Sequence, residues 1–219
     1  MVPRCPFESY ALGRQAGHEP WDEVLLETDH FVVVPTRGAI VEGWVLVVPR
    51  VFALSFGRLS PQARRDVDAV VGVVSRAVER AYGRVAAFEH GPSQPGLTVG
   101  CSVDYAHLHV LPAPTGLRAG ADALCPGIEW VARGGVRNAE GVADAPYLYC
   151  EQDGQAWFGK HPEIPSQLFR RVVASAVGQP GRYDWRRDPR PEAARATADA
   201  LRDVLQEEAE WAGLAVPAA

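Results

Sequence analysis

A chain of 219 residues with 47% hydrophobic side chains can bury a sizeable core as one domain, or as one domain with an extension. A formal net charge of −5 argues against a general nucleic-acid binder. No apolar run reaches the roughly 20 residues that span a bilayer, and the first residues lack the apolar stretch of a signal peptide, so a cytoplasmic protein away from membranes is expected.

Residues 1–20 are rich in turn formers and read as a segment wrapped over the domain. Alternation over 23–27 and 31–35, around Thr28-Asp29-His30, predicts a hairpin. A loop carrying Arg37 follows, and GWVLVVP at 43–49 is the most strand-like apolar run, read as a central strand. Ser60-Pro61 combines a serine N-cap with proline in the first helical position, and Val67, Val70, Val71, Val74 and Val78 recur at helical spacing until Gly83. Residues 85–89 form another short strand, and 90–96 are a loop.

The stretch 100–112, GCSVDYAHLHVLP, is densest in chemistry. Residues 106–111 read as a strand closed by Pro112. Side chains alternate along a strand, so Tyr105, His107 and His109 are expected on one face, roughly 6–7 Å apart in succession. Both imidazoles can then address one small polar group. Gly100 permits close backbone approach, and Ser102 offers a hydroxyl. His-x-His on a strand is equally often a plain hydrogen-bonded edge, so the surrounding motifs must decide.

Residues 113–127 read as a Pro/Gly/Ala linker, dividing a core at 1–114 from an extension at 115–219 that packs on it. Strands are expected at 128–133 and 147–151, with a turn at 152–154 leading into 156–158. A helix after Pro165-Ser166 sets Phe169, Val172, Val173 and Ala176 on one face and Gln167, Arg170 and Arg171 on another. Guanidinium forks bind phosphate or sugar acids bidentately, and an exposed arginine face is just as common. Residues 183–187 form a packing loop before a final helix at 192–212. Short strand spacing without repeated β-α-β units predicts an α+β fold, with an antiparallel sheet carrying 30–35, 43–49, 85–89 and 106–111 and the 60–82 helix packed on it. Cys5, Cys101, Cys125 and Cys150 lie far apart without a C-x-x-C pair and read as reduced thiols.

LLETDHFVVVPTRG, GWVLVVPR, LSP, FEHG and GCSVDYAHLHVLP, in that order over residues 22–114, resemble the histidine-triad (HIT) superfamily of nucleotidyl hydrolases and transferases. FEHG is similar to the branch related to galactose-1-phosphate uridylyltransferase-like proteins. The first triad histidine is Tyr105 here; the middle and third are His107 and His109. The resemblance implies that His107 is a nucleophile forming a nucleotidyl-histidine, and that His109 and Ser102 donate to the phosphoryl oxygens. It makes His90, at FEHG, a substrate contact, with Gly100 beside the same ligand; Tyr105, also placed there, is read first as packing and orienting the strand. The implied partner is a nucleotide or nucleotide-linked small molecule, with a homodimer by analogy. Zinc-bearing members use four ligands whose positions here are Cys5, Glu8, Phe52 and Tyr105, a set unsuited to tetrahedral zinc, so no metal or cofactor is expected. Two other readings stand: a HIT-like module that only binds nucleotide, and a cupin-like metal enzyme using His107 and His109. The latter lacks a nearby carboxylate in 111–115, and the later His161 sits in a polar loop.

Overall fold

A computed structural model describes residues 7, 18–100, 103–113 and 116–214. The fold is α+β, built on one eight-stranded antiparallel sheet. The strands are β1 (Leu26–Glu27), β2 (Phe31–Pro35), β3 (Val45–Pro49), β4 (Val85–Gly91), β5 (Leu108–Pro112), β6 (Glu129–Ala132), β7 (Tyr147–Gln152) and β8 (Gln155–Lys160), in the order β1-β2-β3-β5-β4-β7-β8-β6. Among the described residues the α-helices are α1 (Pro61–Tyr82), α2 (Leu117–Leu124), α3 (Leu168–Ala176) and α4 (Pro191–Trp211).

Helix α1 begins as expected: the Ser60 hydroxyl accepts from the Ala63 N–H at 3.2 Å, and Pro61 fills the first turn. Gly83, at φ +85°, ends it by donating to the Glu79 carbonyl. Valine costs up to about 0.7 kcal/mol per residue in helix propensity. Burying a valine side chain returns about 1.5–3 kcal/mol, and Val67, Val70, Val73, Val74 and Val78 are each wholly buried. Packing therefore decides the helix. Its partner on the same sheet face is α4, through Ala198, Leu201, Leu205 and Ala209.

Opposite residues of an antiparallel pair share a face, and the register gives each face a distinct character. Val45, Val47, Leu108, Val110 and Ala87 point to α1 and α4, whereas Leu46, His109, Phe88 and Cys150 point the other way. Helices α2 and α3 cover part of this second face through Leu117, Ala121, Leu168, Phe169 and Val172. Strand β7 pairs with β4 along 86–91, so residues beyond 115 complete the same sheet as those before it.

Three expected elements differ, the first being β4, which runs on to Gly91, so that His90, expected in a loop, lies on the strand paired with Leu148. The segment read as a linker contains α2, because its Gly/Ala composition hides Leu117 and Ala121 on one buried face. A Cβ on Gly120 would come 2.3 Å from Val172 Cγ1, so the glycine permits the close crossing of α2 and α3. The strand expected over 106–111 starts at Leu108 instead. Just upstream, the Ala106 N–H donates to the Ala53 carbonyl (2.7 Å) and the Tyr105 hydroxyl to the Pro49 carbonyl (2.9 Å). These bonds draw 105–107 off the ladder onto the 49–58 loop. Among the described residues no helix is long and apolar enough to cross a membrane.

Candidate active site

Three histidines meet on the second sheet face. His109 lies on β5 opposite Leu46 and Phe88; His90 lies on β4, two residues beyond Phe88; His107 immediately precedes β5. The His107 and His109 rings are 5.0 Å apart between centres, Phe88 stacks on His109 at 4.3 Å, and Phe88 meets His90 edge-on at 5.5 Å. His90 and His109 are buried, and His107 is half-buried beside Phe7.

Hydrogen bonds fix the tautomer of each ring. His107 Nδ1 is 2.8 Å from the Tyr105 carbonyl, which can only accept, so Nδ1 carries the proton and Nε2 keeps its lone pair. His109 Nδ1 accepts from the Trp44 indole N–H at 3.0 Å, and an indole can only donate, so the His109 proton sits on Nε2. His90 Nε2 accepts the Phe169 backbone N–H at 3.3 Å, in the first turn of α3, so its proton sits on Nδ1. The site thus holds one free base and two oriented N–H donors.

Electrostatics keep all three rings neutral. Burial lowers the His107 pKa and, with the Arg170 charge, outweighs the Tyr105 carbonyl that favours the cation. Burial holds His109 well below the ordinary imidazole value, helped by His107 and Arg170. Burial likewise pushes His90 down to about 3, with His107 and Arg170 acting in the same direction. Arg170 is itself buried, its guanidinium 4.9 Å from the centre of the Trp44 ring. It donates from Nε to the Tyr183 carbonyl (2.7 Å) and from one terminal nitrogen to the Gly38 carbonyl. A fixed cation beside a neutral base and two N–H donors is a setting that stabilises a phosphoryl anion.

The expected arginine face does not form. Gln167 stands before the helix at φ +58° and is buried; Arg170 points into the protein; Arg171 stacks on Tyr183 at 3.9 Å and donates to the Ser166 carbonyl. The 3.6-residue period holds in α3, where Leu168, Phe169, Val172 and Val173 share its buried side with Arg170. Tyr105 is not turned to a ligand either: its hydroxyl is spent on Pro49, and its ring packs on Phe52 at 5.4 Å and Phe7 at 5.8 Å. Gly100 lies in the short 3-10 turn Thr98–Gly100. Ser102, Cys5 and Glu8 lie outside the described residues.

Two contributions escape a linear reading. Trp44 sets the His109 tautomer from the position just before β3; only the β3–β5 register brings them together. Glu89, on the opposite face of β4 from His90, is buried and accepts from the Phe56 N–H (2.7 Å) and the Tyr147 hydroxyl (2.6 Å). Tyr147 in turn accepts from the Gly57 N–H at 3.1 Å. This carboxyl anchors the 49–58 loop, which holds Tyr105 and Ala106 and so sets the approach to His107. A carboxyl directly after the apolar run VAAF is its signal in the sequence. Cys125 and Cys150 are buried thiols, the latter pushed up to about 12 by burial. The chain matches no protein-family model, and no curated protein matches it significantly.

Proposed function

We propose that this protein is a HIT-like nucleotidyl hydrolase or transferase, working in the cytoplasm on a nucleoside phosphate ester, anhydride or sugar nucleotide. One observation carries the reading: the bond from His107 Nδ1 to the Tyr105 carbonyl leaves a neutral imidazole with its Nε2 lone pair available. A neutral imidazole is a nucleophile near pH 7 without a strong general base. Nε2 attacks the α-phosphorus, a P–N bond forms, and the P–O bond to the leaving group breaks with its electrons going to that oxygen, which takes a proton. Water or an acceptor hydroxyl then attacks the phosphorus, breaks the P–N bond, returns the electron pair to Nε2 and releases its proton to solvent, balancing the solvent proton taken by the leaving oxygen. Charge on the non-bridging oxygens is met by the His109 Nε2–H donor and by Arg170.

The proposed mechanism draws on no zinc. At two of the four positions aligned with HIT zinc ligands stand Phe52, which offers no donor atom, and Tyr105, whose hydroxyl bonds to Pro49. Among the described residues no group of three His, Cys, Asp or Glu is disposed to hold a metal ion.

The test is acid-labile labelling of the protein, read by mass spectrometry across a panel of nucleoside phosphoramidates, monophosphate esters, dinucleoside polyphosphates and sugar nucleotides. Wild type should gain one nucleotidyl mass. His107→Asn should gain none, since an amide cannot form the phosphoramidate, and should still bind nucleotide. His109→Ala should slow labelling by about 10²–10³, the usual cost of one lost donor. Nucleotide binding by wild type without labelling or turnover of any substrate replaces the enzyme with a binding module.

A further inference from the structure

Among the described residues Arg37 is the arginine whose guanidinium lies over two indole rings, one of which, Trp185, also carries Arg186 at 4.4 Å. Arg37 lies between β2 and β3 and is exposed, with its guanidinium carbon 5.0 Å from the centre of the Trp21 ring and 5.4 Å from that of Trp185. Asp22 feels its charge; the Arg37 carbonyl accepts from the Thr36 hydroxyl at 3.5 Å, and among the described residues the Arg37 side chain forms no ion pair and no hydrogen bond. Two indoles therefore grip the guanidinium and leave its N–H groups for something else.

The placement is built into the backbone. Gly38 has φ +69°, and a Cβ there would come 2.7 Å from Trp185 Cα, so only glycine lets the loop bearing Trp185 lie against Arg37. The Gly38 N–H also donates to the Pro189 carbonyl at 2.7 Å. Trp185 packs on Val32, Val34, Leu46, Val48, Val103 and Tyr105, the continuation of the face that carries His109. On its inner side, the Gly38 carbonyl accepts from Arg170, whose charge reaches all three histidines. A buried cation at the histidines and an exposed one at the rim are thus joined through adjacent residues.

We propose that Arg37 is a binding site for a second phosphoryl group of the substrate, distal to the one attacked by His107. The inference rests on the proposed function for the first phosphoryl group and adds a substrate class: molecules carrying at least one further phosphate. A guanidinium already fixed between two rings loses little freedom when it binds, and its fork suits two phosphate oxygens.

Calorimetry with inorganic tripolyphosphate and orthophosphate tests this without turnover. Arg37→Gln should weaken tripolyphosphate binding about tenfold or more, as loss of a charged hydrogen-bond donor does, and move orthophosphate less than twofold. Arg37→Lys, which keeps charge but not the fork, should fall between. Arg118→Gln is the control: Arg118, on α2, also stacks on one indole, Trp157 at 4.6 Å, its charge acts on none of the three histidines, and its loss should change neither affinity. Unchanged tripolyphosphate affinity in Arg37→Gln overturns the proposal. So does an equal loss in Arg118→Gln, which would make the effect one of net charge. Binding needs no nucleophile, so failed labelling with the Arg37-dependent difference intact removes the enzyme reading and leaves the subsite standing.

Discussion

The two faces of one sheet are built to different ends. Beneath α1 and α4, β3 and β5 present Val45, Val47, Leu108 and Val110, each fully buried. The reverse side of the same strands presents Trp44, Leu46 and His109, against Arg170, His90 and Phe88. Adjacent residues such as Leu108 and His109, or Glu89 and His90, serve opposite sides. Period-two alternation lets a rigid aliphatic layer back a polar site with no loop between them. Polar groups on the second side are kept in order by hydrogen bonds, and order on the first comes from packing. The difference teaches that variants of similar stability cost should separate cleanly in their effect on the histidines.

The largest effects come from cutting each face at its centre. Leu201→Ala, beneath α4, should cost about 2–5 kcal/mol as a core truncation and leave the three imidazole tautomers unchanged. Arg170→Met should cost a similar amount, about 2–5 kcal/mol, because the Tyr183 and Gly38 carbonyls lose charged donors. It should also raise the pKa of all three histidines, since the Arg170 charge opposes their protonation. Denaturant melts give the stability, and ¹⁵N histidine spectra against pH give tautomer and pKa. Equal histidine spectra in the two variants would dissolve the contrast between the faces.

A smaller effect isolates one hydrogen bond. Trp44→Phe keeps most of the ring contact with Phe88, at 5.8 Å, and deletes the N–H that His109 Nδ1 accepts. Leaving that buried nitrogen unsatisfied should cost about 1–3 kcal/mol. The His109 proton should then distribute over both nitrogens, visible in the ¹⁵N shifts, and labelling of His107 should slow. A His109 ring that stays wholly Nε2-protonated in Trp44→Phe would show that Trp44 does not set its tautomer.

The aliphatic face was legible in the sequence and the polar one only in outline, for a physical reason. Valines at 67, 70, 71, 74 and 78 declare a buried helix face through their spacing, and Ser60-Pro61 and Gly83 mark its ends by local chemistry. His107 and His109 stand out as residue types. What they do depends on partners distant in sequence: Trp44 is 65 residues from His109, and Phe169 is 79 from His90. Local periodicity carries no such information. Arg170 shows the same limit, since the spacing that marked a solvent face for Gln167, Arg170 and Arg171 could not register the carbonyls waiting for its guanidinium. Pairing of 105–106 with the 49–58 loop likewise shortened a strand that alternation alone extends.

Glu89 gives the subtlest prediction, because it sits on the aliphatic side and titrates against the histidines. Burial raises its pKa from 4.5 to about 7, against the lowering effect of its bonds from Tyr147 and Phe56. A raised carboxyl stabilises the fold fully below pH 4.5, and that contribution fades as pH rises through 7. His90 and His109 have lowered pKa values, so their contribution is full above 6.5 and is lost as pH falls toward the acid range. The opposed terms partly cancel between pH 4.5 and 6.5, where Glu89 and His90 each change stability by about 1.4 kcal/mol per pH unit and His109 acts in the same direction as His90. Glu89→Gln removes one term and retains an acceptor for the Phe56 N–H. Stability of Glu89→Gln relative to wild type should therefore rise by about 1.4 kcal/mol per unit from pH 4.5 to 7 and be flat outside that window. The variant should also lose stability more steeply than wild type on acidification below pH 6.5, with only the histidine terms acting. Urea melts of both proteins from pH 4 to 8 supply the measurement, the linear extrapolation being applied at each pH. Parallel curves throughout would mean that Glu89 titrates at its ordinary value, and that its hydrogen bonds hold a carboxylate in the 49–58 loop that supports His107.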